Sequence, residues 1–118
     1  MDFNIEKQNG FVMVQLLKEK LDTSVAPALK SELVLLAGNN EKNILLDLSK
    51  CNYCDSSGLS AILVANRLCK NSEGAFVLAG LQPAVEKLIT VSQLDSVISI
   101  APTTNDGIEM MRNALKSN

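Results

Sequence analysis

Short apolar runs alternate along the chain with longer stretches in which apolar residues recur every three or four positions, and the two rhythms predict different elements. At the amino end, Phe3-Asn4-Ile5-Glu6-Lys7 and Val12-Met13-Val14-Gln15-Leu16 flank Asn9-Gly10. Both turn residues accept positive φ, so the segment reads as a β-hairpin. A two-residue loop sets Gln8 against Phe11. Ile5 then falls opposite Val14 and Phe3 opposite Leu16 on a packed face, while Asn4 meets Gln15 on a wetter one. Asp22-Thr23-Ser24 offers N-cap oxygens, and Val25, Leu29, Leu33 and Leu36 follow at helical spacing as far as Gly38-Asn39-Asn40, a natural stop. Residues 44–48 are a brief apolar run suited to a strand covered on both faces.

After Gly58, a second helical stripe runs through Leu59, Ile62, Leu63, Asn66 and Cys69, widened by Val64 and Leu68, and stops at Asn71-Ser72-Glu73-Gly74. Its width predicts deep burial against a sheet. Residues 75–79 read as another covered strand. Gly80-Leu81-Gln82-Pro83 opens a third helix, with proline in the first turn where its missing N–H costs nothing, and Val85, Leu88 and Ile89 form the inner face. Residues 97–100 read as a last strand, Pro102-Thr103-Thr104 as a cap, and Ile108, Met111 and Leu115 as the inner face of a closing helix. The fold class is therefore α/β, a mixed sheet that opens with an antiparallel hairpin, continues through right-handed helical crossovers and carries about four helices. With no linker, repeat or low-complexity tract, a single domain is expected over residues 1–118. Sites in such sheets gather at the carboxyl ends of strands, and Asp55-Ser56-Ser57-Gly58 lies at such a point.

Composition narrows the chemistry. A net charge of −2 leaves no basic footprint for a polyanion, so direct nucleic-acid binding is not expected. The start, Met1-Asp2-Phe3-Asn4-Ile5-Glu6, has no basic leader followed by an apolar run, and no apolar stretch approaches membrane-spanning length, which predicts a cytoplasmic chain without membrane insertion. Histidine is absent. That removes Ser-His-Asp and Cys-His nucleophile systems and His-containing zinc sites, and three cysteines alone fall short of a four-ligand zinc site. No metal and no cofactor are expected, and no phosphate-binding glycine motif points to nucleotide hydrolysis.

The most informative stretch runs from Ile44-Leu45-Leu46-Asp47-Leu48 through a short connection into Asp55-Ser56-Ser57-Gly58-Leu59. It sets small hydroxyls at the positive end of a helix, where a phosphate is well tolerated. With that junction and the order of elements placed, the chain resembles the STAS domain, in particular the bacterial anti-sigma factor antagonists. Three stretches carry the resemblance: Leu21-Asp22 with the helix around Ala26-Pro27-Ala28-Leu29, Leu46-Asp47-Leu48-Ser49 leading to Asp55-Ser56-Ser57-Gly58-Leu59, and the tail Leu88-Ile89-Thr90-Val91-Ser92-Gln93-Leu94-Asp95. It implies a phosphoprotein and not an enzyme. Ser57 would be the phosphoacceptor, an anti-sigma factor serine kinase its partner, and a serine phosphatase the agent that restores the hydroxyl. Asp55, Ser56, Gly58, Leu59 and Asp22 would surround the acceptor and form the docking surface. The chain departs from the family where Cys54 replaces a bulky apolar residue and where Gln93 stands at a frequent glycine.

Each of these residues has a plainer reading. Ser57 and Asp55 could each serve only to cap the second helix, Asp22 only to cap the first, and Gly58 only to satisfy a turn. Asn66, a polar residue within an apolar stripe, receives no function. Cys51-Asn52-Tyr53-Cys54 matches the spacing of a thiol redox motif, although Cys54 and Cys69 fall where packing alone accounts for them. Two other functions stand beside the regulatory one: a cytosolic accessory subunit of a membrane transporter, and a thiol oxidoreductase.

Overall fold

A computed structural model of the chain describes residues 2–116; Met1, Ser117 and Asn118, included in the expected domain, lie outside the described residues. β1 (Phe3–Lys7) and β2 (Val12–Leu16) form the hairpin, with Phe3 opposite Leu16, Asn4 opposite Gln15 and Ile5 opposite Val14, the register expected of a two-residue loop. Gly10 supplies the positive φ of +94° that the turn needs. β3 (Lys20–Leu21) and α1 (Ala26–Gly38) then lead to β4 (Ile44–Asp47), and β5 (Tyr53–Cys54) and α2 (Ser56–Asn71) lead to β6 (Phe76–Ala79). α3 (Pro83–Val91) and a 3-10 turn (Leu94–Ser96) lead to β7 (Ser99–Ala101), and α4 (Thr104–Lys116) closes the chain.

The main sheet runs β1-β2-β4-β6-β7, antiparallel only in its first pair. β4 and β6 lie inside it and are buried at every position. Alternate residues supply two cores: Ile44, Leu46, Phe76 and Leu78 pack with buried residues of α1, α2 and α3, while Leu45, Val77 and Ala79 pack with Met111 of α4. That double coverage explains why these strands read as continuous apolar runs. Thr103 caps α4 by accepting the Asp106 amide at 3.0 Å, as the cap signal predicts.

Several expectations are corrected. α1 begins at Ala26 with Pro27 in its first turn and has no side-chain cap, so Asp22-Thr23-Ser24 precedes the helix instead of capping it. The buried line of α2 runs through Gly58, Ala61, Ile62, Ala65 and Cys69; small residues face inward, and Leu59, Leu63 and Leu68 flank them half-buried. Close packing of α2 beside α1 accounts for this, because small side chains permit near approach. The last strand lies two residues later than the expected start at Val97, which is exposed in the turn that follows Ser96. Ile5 remains exposed because β1 is an edge strand.

Candidate functional site

The short parallel pairing of β3 with β5 positions the site. Lys20 lies beside Tyr53 and Leu21 beside Cys54, and the Asn52 amide donates to the Glu19 carbonyl at 2.8 Å. The turn before α1 is thereby held against the start of α2. Leu21 extends the junction, since its carbonyl accepts the Asp55 amide at 3.3 Å.

Asp55 is the N-cap of α2, and its carboxylate accepts the Gly58 amide at 3.0 Å. Ser56 and Ser57 are therefore the first two helical residues. The bland reading of Ser57 as the cap fails on this geometry, because the cap duty belongs to Asp55. Ser56 is exposed, Ser57 is half-buried, and among the described residues the Ser57 hydroxyl has no hydrogen-bond partner. Gly58 is buried inside the helix, where a Cβ would sit 2.4 Å from the Leu21 carbonyl oxygen and 2.6 Å from Cys54 Sγ. It answers a close approach, so a turn requirement does not explain it. Leu59 packs on the main core.

Ser57 opens onto a recess of about 190 Å³ that it lines together with Thr23, Ala26, Pro27 and Lys30. Asp22 stands one residue from this recess and faces a neighbouring one. Its carboxylate accepts the Ser24 hydroxyl at 2.6 Å and the Ser24 amide at 3.0 Å, while its carbonyl accepts the Val25 and Ala26 amides. The Ser24 hydroxyl bond, then the amide bond, hold the Asp22 carboxyl below its ordinary pKa. Asp22 thus stabilises the turn that presents Thr23 to Ser57.

A model of the STAS domain matches residues 2–107 of this sequence. The chain belongs to the STAS domain family. BtrV of Bordetella bronchiseptica, which bears the name of an anti-sigma factor antagonist, is 24% identical over 98% of both chains. An anti-sigma factor antagonist from Mycobacterium paratuberculosis superposes with a TM-score of 0.83 at 23% identity, over 93% of this chain and 92% of its own. SpoIIAA of Bacillus has been solved unphosphorylated and phosphorylated, and its two forms match this STAS domain about equally, with TM-scores of 0.73 and 0.72 at 18% and 20% identity. They cover 93% and 92% of this chain, and each matches over 97% of its own length.

Two features of this STAS domain escaped the sequence reading. Lys30 lines the recess at Ser57, yet on the sequence it is one lysine on a helix. Asp47 is 2% exposed and accepts the Ser49 amide and the Thr104 hydroxyl, both at 3.0 Å, tying β4 to the first residue of α4. An acidic residue closing an apolar strand was the available signal for it. Among the described residues there is no cluster able to hold a metal ion, and no helix is long and apolar enough to cross a membrane.

Cys51 and Cys54 are both buried. Burial first of all pushes the Cys51 thiol up and raises Cys54 to about 12, with the charge of Asp55 adding to the latter. Their sulfurs donate to the Tyr53 and Asp55 carbonyls at 3.1 and 3.5 Å. A redox pair needs an accessible thiolate, and this environment opposes one.

Proposed function

We propose that this chain is an anti-sigma factor antagonist whose unphosphorylated form binds a kinase-type anti-sigma factor, so that a sigma factor is released, and that phosphorylation of Ser57 ends the binding. The observation that carries the reading is the division of labour at the head of α2. Asp55 satisfies the helix, and the Ser57 hydroxyl is left half-exposed beside a recess. The names of the antagonists among its relatives support the same reading.

The kinase would transfer the γ-phosphoryl of ATP. A bond forms between Ser57 Oγ and phosphorus, the bond to the β-phosphate oxygen breaks, the hydroxyl proton passes to a base of the kinase, and ADP leaves. A serine phosphatase would reverse the state by hydrolysis, returning the hydroxyl and inorganic phosphate. The chain contributes the acceptor and the docking surface around it, to which Asp55, Ser56 and Asp22 belong, while buried Gly58 and half-buried Leu59 support that surface from beneath, and it works in the cytoplasm without a cofactor.

Magnitudes explain why the modification would gate binding without unfolding the domain. Phosphorylation adds about −1.5 to −2 charge, and the start of α2 returns on the order of 0.3 to 1 kcal/mol, partly offset by repulsion from Asp55. Stripping water from the same dianion in an interface costs several kcal/mol, and each 1.4 kcal/mol is about tenfold in affinity. The test is capture of the tagged chain from cell extract with identification of its partners, followed by phosphorylation with ATP. The expected partner is a kinase-type ATPase that labels the wild type and spares Ser57→Ala, and that binds Ser57→Asp far more weakly. Recovery of transporter subunits in its place, or equal binding by Ser57→Asp, would overturn the proposal.

A further inference from the structure

The recess at Ser57 has one charged wall. Of its five lining residues only Lys30 is ionised, and among the described residues it forms no ion pair, whereas Lys7 is held by Glu41 and Lys18 by Asp2. Lys30 lies on α1 one turn beyond Ala26, and α1 packs directly beside α2, whose second residue is Ser57. Ala26, which is buried, and Pro27, which is exposed, line the same recess.

The other charges near this junction are committed elsewhere. The Asp22 carboxylate is closed on the Ser24 hydroxyl and amide, and the Asp55 carboxylate on the Gly58 amide. Lys20 lies over the Tyr53 ring, 6.0 Å from its centroid, and lines the neighbouring recess with Lys18, Glu19 and Asp22. A new anion on Ser57 would therefore find Lys30 as the one ionised side chain lining its own recess. The volume, about 190 Å³, is many times the roughly 10–15 Å³ that admits a single water, so the recess has room for polar oxygens beside Ser57.

We propose that Lys30 is the intramolecular counter-charge of a phosphoryl group on Ser57, drawing it into the recess between α1 and α2 in the modified state. This rests on the reading of Ser57 as phosphoacceptor. The consequence for switching is twofold. The phosphoryl group occupies the recess that a partner could otherwise enter, and the pairing removes Lys30 as a free cation from the docking surface. Phosphorylation thus changes the shape and the charge of the surface at one point. Lys30 is a positioning residue in this scheme, since it holds the product and takes no part in the transfer.

The test installs phosphoserine at position 57 during translation and follows its second ionisation by 31P NMR at low salt. A paired phosphate titrates below the ordinary value of about 6, because a nearby cation favours the dianion. Lys30→Gln is expected to raise the titration midpoint by on the order of half a unit or more, about a threefold change in proton affinity. Lys30→Met, which keeps the aliphatic stem that helps line the recess, is expected to match it, and Lys30→Arg to stay with the wild type. Lys42→Gln removes the same charge from the exposed segment before β4, at the other end of that strand, and is expected to leave the midpoint unchanged. Superimposed curves for wild type and Lys30→Gln, or equal displacement by Lys30→Gln and Lys42→Gln, would overturn the pairing. Because phosphoserine enters without a kinase, lack of a cellular kinase for Ser57 would sink the functional reading and leave this measurement intact.

Discussion

The Asp55 carboxylate accepts the Gly58 amide at 3.0 Å, and this bond closes the first turn of α2 without using either of the two serines, Ser56 and Ser57, that lie between the two residues. Removing the cap and removing the hydroxyl should therefore have unequal effects. Asp55→Ala is expected to cost about 1 kcal/mol of stability, with Asp55→Asn recovering most of it. Ser57→Ala is expected to stay within about 0.5 kcal/mol of the wild type, as for a surface change that breaks no bond. Urea denaturation of the three variants checks this. If Ser57→Ala cost as much as Asp55→Ala, the serine would be structural.

Gly58 is constrained by what lies beneath it. The atom nearest an added Cβ, at 2.4 Å, is the Leu21 carbonyl oxygen, which belongs to the backbone and cannot swing aside. Gly58→Ala is expected to lose about 2–4 kcal/mol, beyond the usual cost of overpacking, because α2 must lift from β3. The Asp55 amide, bonded to the same carbonyl, should then exchange with solvent much faster. Trimming the second obstacle with Cys54→Ala in the same chain should recover little. Full recovery would show that the sulfur, and not the backbone, sets the limit.

What could be read from the chain follows from the physics of each signal. The hairpin register was legible to the residue, because a two-residue loop leaves one pairing for the strands it joins. β4 and β6 were legible because coverage on both faces permits only apolar residues over most of their length. The inward face of α2 was not, since Gly58, Ala61 and Ala65 escape a rule that counts bulky side chains. β3 and β5 are two residues each, too short for periodicity, so the pairing that holds Leu21 against Cys54 was invisible. At the site the motif was evident, but the roles within it turn on whether the helix begins at residue 56 or 58. A shift of that size decides which side chain is the cap, and it lies within the uncertainty of any pattern-based boundary.

Gln93, which the resemblance set at a position expected to favour glycine, has a φ of +61°, in the left-handed region. A side chain in the left-handed region crowds its own backbone, whereas glycine does not. Relief of that strain outweighs the extra freedom glycine brings to the unfolded chain. Gln93→Gly is expected to gain about 0.5–1 kcal/mol. For a domain of this size that corresponds to roughly 2–5 °C in Tm by thermal unfolding. An unchanged or lower Tm would mean that the turn after α3 is set by tertiary packing and carries no strain to release.

The buried thiols give the fold an alkaline limit. Burial lifts Cys54 to about 12 and Cys69 to about 11, above the 9.0 from which both start, and Cys51 moves the same way. A group whose pKa is raised by folding binds its proton more tightly in the native state, so ∂ΔG/∂pH is negative between the two values. Stability should be full below about pH 9 and fall as the pH climbs toward about 12. Urea midpoints at pH 8 and pH 10.5 should differ accordingly, and Cys54→Ala should flatten the difference. The same shifts keep the thiols protonated near neutrality, so alkylation of the native chain at pH 7 should be slow at all three cysteines and become rapid only in denaturant. Fast modification of Cys51 in the native state would instead mark an accessible thiolate and restore the redox reading of Cys51-Asn52-Tyr53-Cys54.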